Sequence, residues 1–132
     1  MTCYSLSPGT YAIGDPAMFV KKTKEGDLWL KVLWDTFYRD MNRFQQLDID
    51  GISFYITRTA EGDYYYQGIG TDTGTLMVIR INELTDERFR FSKESHGVKY
   101  FDCEHEVTVC VDRFNLHFSN DIHVITNSDD MI

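Results

Sequence analysis

Residues 27–57 read DLWLKVLWDTFYRDMNRFQQLDIDGISFYIT, and the spacing of apolar side chains changes within this stretch. From residue 27 to 44, apolar residues recur every three or four positions, which places them on one face of a helix. From residue 52 onward they alternate with polar residues, as in a strand with one buried face. The stretch therefore predicts one amphipathic helix followed by a β-strand.

The predicted helix spans about residues 27–44. Asp27 is placed to cap its amino terminus, because a carboxylate there accepts hydrogen bonds from the free amides of the first turn. We expect the apolar stripe of this helix to pack against the sheet. The stripe consists of Leu30, Leu33, Trp34, Phe37, Met41 and Phe44.

Short strands are predicted on both sides of the helix, each bounded by turn residues. Ile52, Phe54 and Ile56 face one side of their strand, and their neighbours face the other. The polar segment 82–97 is expected to be a long loop or an irregular strand. The other predicted strands are 11–13 and 18–21 before the helix, 64–69 and 76–81 as the rest of a first meander, and 107–111, 114–118 and 122–124 as a second.

These patterns predict an α+β fold in which a mostly antiparallel, strongly curled sheet or partly open barrel packs on one amphipathic helix. A chain of 132 residues has the size of one domain, so we expect residues 1–132 to form a single domain. The polar tail, residues 127–132, is expected to be frayed.

Charge and cysteine content narrow the classes of function. The chain carries 13 Lys and Arg against 21 Asp and Glu, a net charge of −8. This balance argues against direct nucleic-acid binding, which needs clustered cations, and favours a basic protein partner. Residues 1–14 lack the pattern of an export signal, no apolar run is long enough to span a membrane, and the three cysteines are too few for a disulfide framework. We therefore expect a reduced, cytoplasmic setting without membrane insertion.

Four acidic residues stand at even positions of one predicted strand: Asp102, Glu104, Glu106 and Asp112. Alternate residues of a strand share a face and lie about 6.6–6.8 Å apart, close to two phosphate rises of about 3.4 Å on one DNA strand. The stripe therefore predicts electrostatic contacts with a protein surface that normally receives nucleic acid. The alternative is a solvated strand face that maintains solubility and protects a sheet edge.

Three consecutive tyrosines, residues 64–66, lie in a predicted strand, so at least one ring faces outward. We interpret Tyr64 and Tyr66 as anchors for a protein partner, because exposed tyrosine supplies contact area at low entropic cost. Stacking on a nucleotide and ordinary sheet packing are the alternatives.

Metal, cofactor and catalytic sites are not predicted. Cys103 and His105 share a strand face but Cys110 falls on the other, and no third residue orients a thiol and imidazole pair. Asp48 and Asp50 resemble the opening of a calcium loop, but the remaining ligands are missing, and a turn from helix to strand explains them better. An enzyme is accordingly not favoured.

Both ends of the chain carry short motifs. The run from Gly9 to Pro16, followed by a helix with Trp34 and Phe37, resembles the opening of a group of small uncharacterised phage and bacterial proteins. The segment from Phe118 to Thr126 resembles their ending. The resemblance implies no activity, cofactor or catalytic residue, only a phage or mobile-element setting, where small acidic proteins often inhibit host defence or host enzymes.

The leading hypothesis is an acidic accessory protein that binds and inhibits a host protein, in a defence or nucleic-acid-handling complex, through its negatively charged face. A second hypothesis is a small-ligand binder or enzyme with a nucleotide-like ligand in a pocket of the curled sheet, formed by Tyr64, Tyr66, His105 or His117. A third is a structural or assembly protein.

Overall fold

A computed structural model describes residues 2–39, 44–59, 64–66, 69–71, 73–90, 97–112, 115–120 and 122–124, with the backbone alone for 64–66, 70–71 and 123–124. The helices are α1 (Pro16–Phe19), α2 (Lys24–Arg39) and a 3-10 helix (Ile81–Thr85). The strands are β1 (Thr2–Leu6), β2 (Gly9–Gly14), β3 (Gln45–Ile49), β4 (Ile52–Arg58), β5 (Tyr64–Tyr66), β6 (Ile69–Thr71), β7 (Thr75–Arg80), β8 (Lys99–Cys103), β9 (Val107–Asp112), β10 (Asn115–Phe118) and β11 (His123–Val124).

The strands form two main sheets and one small ribbon. A five-stranded central sheet has the order β3-β4-β7-β2-β8, and a four-stranded outer sheet has the order β1-β9-β10-β11. Every strand pair in them is antiparallel. Strands β5 and β6 pair with each other as a separate ribbon. Among the described helices, none has the length and apolar character needed to cross a membrane.

The middle strands of the central sheet, β2 and β7, are buried on both faces. Along β7, Leu76 and Val78 contribute to the core between the two sheets, whereas Met77 and Ile79 contribute to the core beneath α2. Period-two alternation assigns successive side chains to opposite faces. The molecule therefore has three layers, in the order helix, central sheet and outer sheet.

The predicted α+β class with mostly antiparallel sheets is confirmed, but the strongly curled sheet or partly open barrel is wrong. Within the described residues, the strands form separate sheets, none of which is strongly curled or closed. The physical reason is the apolar character of β7 on both faces, which requires a separate layer on each side. Buried side chains such as Val109 and Leu116 lie between the two sheets, and the alternative of a ligand pocket formed by Tyr64, Tyr66, His105 or His117 stays a prediction.

The observed strand pairing agrees with one of the two predicted meanders and not with the other. Strands β9, β10 and β11 form the predicted second meander. The first is wrong, because β4 pairs directly with β7 and the chain between them forms the β5-β6 ribbon. Strands β1 and β3 were not predicted.

Helix α2 begins and ends earlier than the predicted range 27–44. Thr23, rather than Asp27, caps it, because the Thr23 hydroxyl accepts a hydrogen bond from the Gly26 amide at 3.0 Å. Leu33 and Phe37 are buried as predicted. Leu30 and Trp34 pack at the edge of the core, Met41 lies outside the described residues, and Phe44 follows the helix and packs between the sheets.

The segment predicted as strand 18–21 begins inside the short helix α1, which ends at Phe19, and only Val20 forms a β-bridge, to Phe89. Asp15 caps α1 by accepting from the Ala17 amide at 2.9 Å, and Pro16 occupies its first turn. The same carboxylate accepts from the Thr73 amide at 2.7 Å and from the Thr73 hydroxyl. Asp15 is fully buried, so it fixes the end of β2 to the turn that precedes β7.

The Asp50-Gly51 pair makes the hairpin turn between β3 and β4. Both residues have positive φ, 53° and 86°, as a primed two-residue turn requires. The Asp48 carboxylate accepts from the Gly51 amide and from the Ser53 hydroxyl. The acidic residues that resemble a calcium loop therefore stabilise a turn, but this turn joins the two strands β3 and β4 rather than a helix and a strand.

A disulfide joins the amino-terminal strand to the outer sheet. Cys3 in β1 lies opposite Cys110 in β9, and the two are bonded across a sequence separation of 107 residues. The low cysteine count predicted that all three thiols are reduced, and for Cys3 and Cys110 this prediction is wrong. The third cysteine, Cys103, is free and buried.

Substitution Asp15→Ala should lower the free energy of unfolding by about 2–4 kcal/mol, because it removes the cap of α1 and leaves Thr73 without this acceptor. Chemical denaturation measures the change. The matched control is Asp27→Ala at an exposed position of α2, which should cost less than about 1 kcal/mol. Equal losses for the two variants would show that the buried carboxylate has no special role.

Substitution Cys3→Ser should lower the free energy of unfolding by about 2–4 kcal/mol under oxidising conditions, because the disulfide closes a long loop of the unfolded chain. Denaturant titration with and without reductant provides the measurement. The reductant should destabilise the wild type by a similar amount and leave the variant unchanged. A wild type that is equally stable in both conditions contradicts the prediction.

Candidate functional site

The four predicted acidic residues do not lie on one strand. Asp102 belongs to β8 in the central sheet, and Asp112 ends β9 in the outer sheet. Glu104 and Glu106 lie between these strands, where the chain crosses from one sheet to the other. The single strand face is therefore wrong, because alternation keeps side chains on one face only while the strand continues.

Three of the four nevertheless lie close together in sequence at the crossing. Asp102, Glu104 and Glu106 are all exposed, and we call residues 102–106 the acidic turn. Cys103 within the turn and Val107 directly after it are both buried, each with 4% of its surface exposed. The Thr10 hydroxyl of β2 donates a hydrogen bond to the Asp102 carboxylate. The turn is thus fixed to both sheets while its carboxylates face solvent.

Asp112 is not part of this group. It stands at the opposite end of β9 from Val107, and five residue steps of extended chain span about 17 Å. Asp112 is exposed there and pairs in register with Asn115. A partner contact through Asp112 would therefore need a surface that extends along the whole strand.

An open depression of about 570 Å³ adjoins the acidic turn. Residues 102–107 line one side, and Ser119, Asn120 and Ile122 line the other. The Ser119 amide donates to the Thr108 carbonyl, and the Thr108 amide donates to the Ser119 hydroxyl, both at 3.0 Å. These bonds hold the β10-β11 turn against β9. The depression is large enough to admit a long cationic side chain beside the carboxylates.

For the two predicted tyrosine anchors, the structure describes the backbone alone. Tyr64 and Tyr66 lie in β5 and pair with Thr71 and Ile69 of β6. Their side chains lie outside the described part of the structure. Their role in partner binding stays a prediction.

Cys103, His105 and Cys110 do not converge. Cys103 points into the core between the sheets, His105 is exposed on the acidic turn, and Cys110 is held in the disulfide. Burial raises the pKa of the Cys103 thiol, and the nearby Asp102 charge raises it further. A raised pKa leaves less of the nucleophilic thiolate at neutral pH. Across the described residues, no three His, Cys, Asp or Glu side chains group into a metal site.

A second surface feature was not predicted. Leu28 and Val32 on α2 are 56% and 49% exposed, and they border a groove of about 470 Å³. The sequence signal was available, because the two residues are four apart and lie just outside the apolar stripe. The remaining lining residues of the groove are Glu25, Trp29, Ile49, Asp50 and Arg88.

Arg88 stabilises one wall of this groove. Its guanidinium donates to both carboxylate oxygens of Asp86, at 2.8 and 3.0 Å, and to Asp50 at 2.6 Å. These hydrogen bonds hold the pKa of Asp86 below its ordinary value. Arg88 thereby links the β3-β4 turn to the segment after the 3-10 helix, and its charge is satisfied within the protein.

The chain matches no protein-family model, and no curated protein and no solved structure is significantly similar to it. The resemblance of its two ends to small phage and bacterial proteins therefore stays a prediction.

Cys103 should react slowly with thiol reagents in the folded, oxidised protein. Only the thiolate is alkylated, and both burial and the raised pKa reduce its accessible fraction. Iodoacetamide at about pH 8 should label Cys103 at least about tenfold more slowly in the native protein than in guanidinium, as followed by mass spectrometry. Rapid labelling of the native protein would instead indicate an accessible, reactive thiol.

Proposed function

We propose that this protein is a non-enzymatic, acidic binding protein whose acidic turn contacts a basic surface of a partner protein. The observation that carries the proposal is the grouping of Asp102, Glu104 and Glu106, all exposed, on a turn fixed to both sheets. No described residue forms an ion pair with Glu104 or Glu106. Their charges are therefore available to a partner.

The net charge of −8 adds a long-range electrostatic attraction to the local contacts of the acidic turn. A negative protein is steered toward a positive surface, and the effect weakens as salt shortens the screening length to about 10 Å at 0.1 M. Complementary charge mainly increases the association rate. We therefore expect partner binding to be fast at low salt and to weaken as salt is added.

We further propose that the partner is a host protein of a defence or nucleic-acid-handling complex and that binding inhibits it. Support comes from charge, because a surface that receives phosphates is basic and attracts carboxylates. The regular spacing along one strand no longer supports this step, since the acidic residues lie on two strands and a turn. The phage or mobile-element setting rests on the resemblance of the chain ends alone.

The test compares two triple variants that each lose three negative charges. The site variant carries Asp102→Asn, Glu104→Gln and Glu106→Gln, and the control carries Glu25→Gln, Asp35→Asn and Glu87→Gln at exposed positions elsewhere. Calorimetric titration with an arginine-rich peptide should show about tenfold weaker binding for the site variant, since three exposed ion pairs contribute roughly 0.5 kcal/mol each. The control should bind like the wild type.

Equal weakening of both variants would show that only the net charge matters, and no weakening of either would overturn the proposal. For inhibition, a partner captured at low salt is assayed for binding to double-stranded DNA. The wild type should displace the DNA, and the site variant should need a higher concentration to do so. Failure of the wild type to displace DNA from any captured partner contradicts the inhibitory role.

A further inference from the structure

Cysteine and histidine residues form a row across the exposed face of the outer sheet. The antiparallel register places Cys3 opposite Cys110, and Cys110 opposite His117 on the next strand. Residues that face each other in antiparallel strands project to the same side of the sheet. The neighbouring residues Val109 and Leu116 point into the core, so this row points outward. Cys3 and His117 are exposed and Cys110 is half-buried.

We propose that reduction of the Cys3–Cys110 disulfide creates a zinc-binding site formed by the two thiolates and the His117 imidazole. Thiolate and imidazole are the donors that zinc prefers in proteins, and three protein ligands leave a fourth position for water or another donor. The disulfide and the metal are mutually exclusive, because both use the same two sulfur atoms. The site lies on the outer face of the sheet and involves no residue of the acidic turn.

The redox step balances with a dithiol reductant. The reductant gives two electrons and two protons to the disulfide, the S–S bond breaks into two cysteine thiols, and the reductant becomes a cyclic disulfide. Zinc binding then releases the two thiol protons, because cysteine coordinates as the thiolate.

The dimensions of the row allow one ion to reach all three side chains. The Cα atoms of Cys3 and Cys110 are 4.1 Å apart. His117 lies one strand further, and two strand spacings amount to about 9.5 Å between the outer members of the row. Zinc is held about 2.3 Å from sulfur and about 2.0 Å from nitrogen, so the two outer side chains can converge over Cys110.

The chemistry explains why such a site is hidden in the oxidised protein. With the disulfide intact, no group of three potential metal ligands exists among the described residues. Reduction of the Cys3–Cys110 bond provides two thiolate sulfur ligands in the same cross-strand row as the His117 imidazole. The set that the sequence argued against, Cys103 with His105 and Cys110, does not converge in the structure, because Cys103 is buried between the sheets.

The test is cobalt and zinc titration of the full chain, reduced with dithiothreitol and freed of reductant by anaerobic gel filtration. Reduced wild type should bind one Co²⁺ with a thiolate-to-cobalt charge-transfer band, which Zn²⁺ then removes, and oxidised wild type should show no band. Cys110→Ser should abolish the band, and His117→Gln should weaken binding at least about tenfold. His105→Gln, an exposed histidine outside the row, is the matched control and should bind normally.

A second measurement keeps the test independent of cobalt spectroscopy. Zinc should raise the melting temperature of the reduced protein and leave that of the oxidised protein unchanged, because a ligand stabilises only the state that binds it. The proposal is overturned if reduced wild type binds no metal, if His117→Gln and His105→Gln behave alike, or if reduction unfolds the protein and zinc does not restore it.

Discussion

The architecture depends on the burial of two adjacent central strands, β2 and β7, on both faces. Ile13 and Val78 face the outer sheet, whereas Ala12 and Met77 face the helix side. A strand with apolar residues on both faces loses its hydrophobic stabilisation if either face meets water. A helix on one side and a second sheet on the other are the covers that this chain supplies, and the three-layer arrangement follows.

The acidic turn is a consequence of that layering. The chain must leave the central sheet after β8 and enter the outer sheet at β9, and backbone that crosses between layers needs polar surroundings. Cys103 and Val107 remain in the core on either side of the crossing, so the residues between them are held at the surface. The same constraint that builds the fold therefore presents the carboxylates to solvent on a rigid support.

Two local features connect the layers. The buried Asp15 carboxylate joins the end of β2 to the turn before β7, where its oxygen atoms satisfy several donors that would otherwise be unmet. The Cys3–Cys110 bond attaches β1, which pairs only with β9 among the described strands, to the outer sheet. That pairing also aligns His117 with the two sulfur atoms, so one register determines both the covalent link and the row of donors.

Three periodic features could be recognised without the structure: a helix that buries Leu33 and Phe37, a strand that buries Ile52 and Phe54, and the three-strand meander near the carboxyl terminus. These could be predicted because periodicity is local and follows from the geometry of one helix or strand. The ends of the helix were harder to predict from the sequence, because the capping residue, Thr23, is the one whose side chain actually reaches the amides of the first turn.

Local patterns do not specify which strands share a sheet, and the position of the candidate site depends on that choice. The acidic residues between 102 and 112 do occupy even positions of the sequence. The chain passes from β8 to β9 within this segment, however, and this change of sheet separates Asp112 from the acidic turn. The pairing of Cys3 with Cys110 spans 107 residues, and no local pattern encodes a partner at that distance. Periodicity specifies the faces of a strand, whereas its neighbour is chosen by the burial of the whole core.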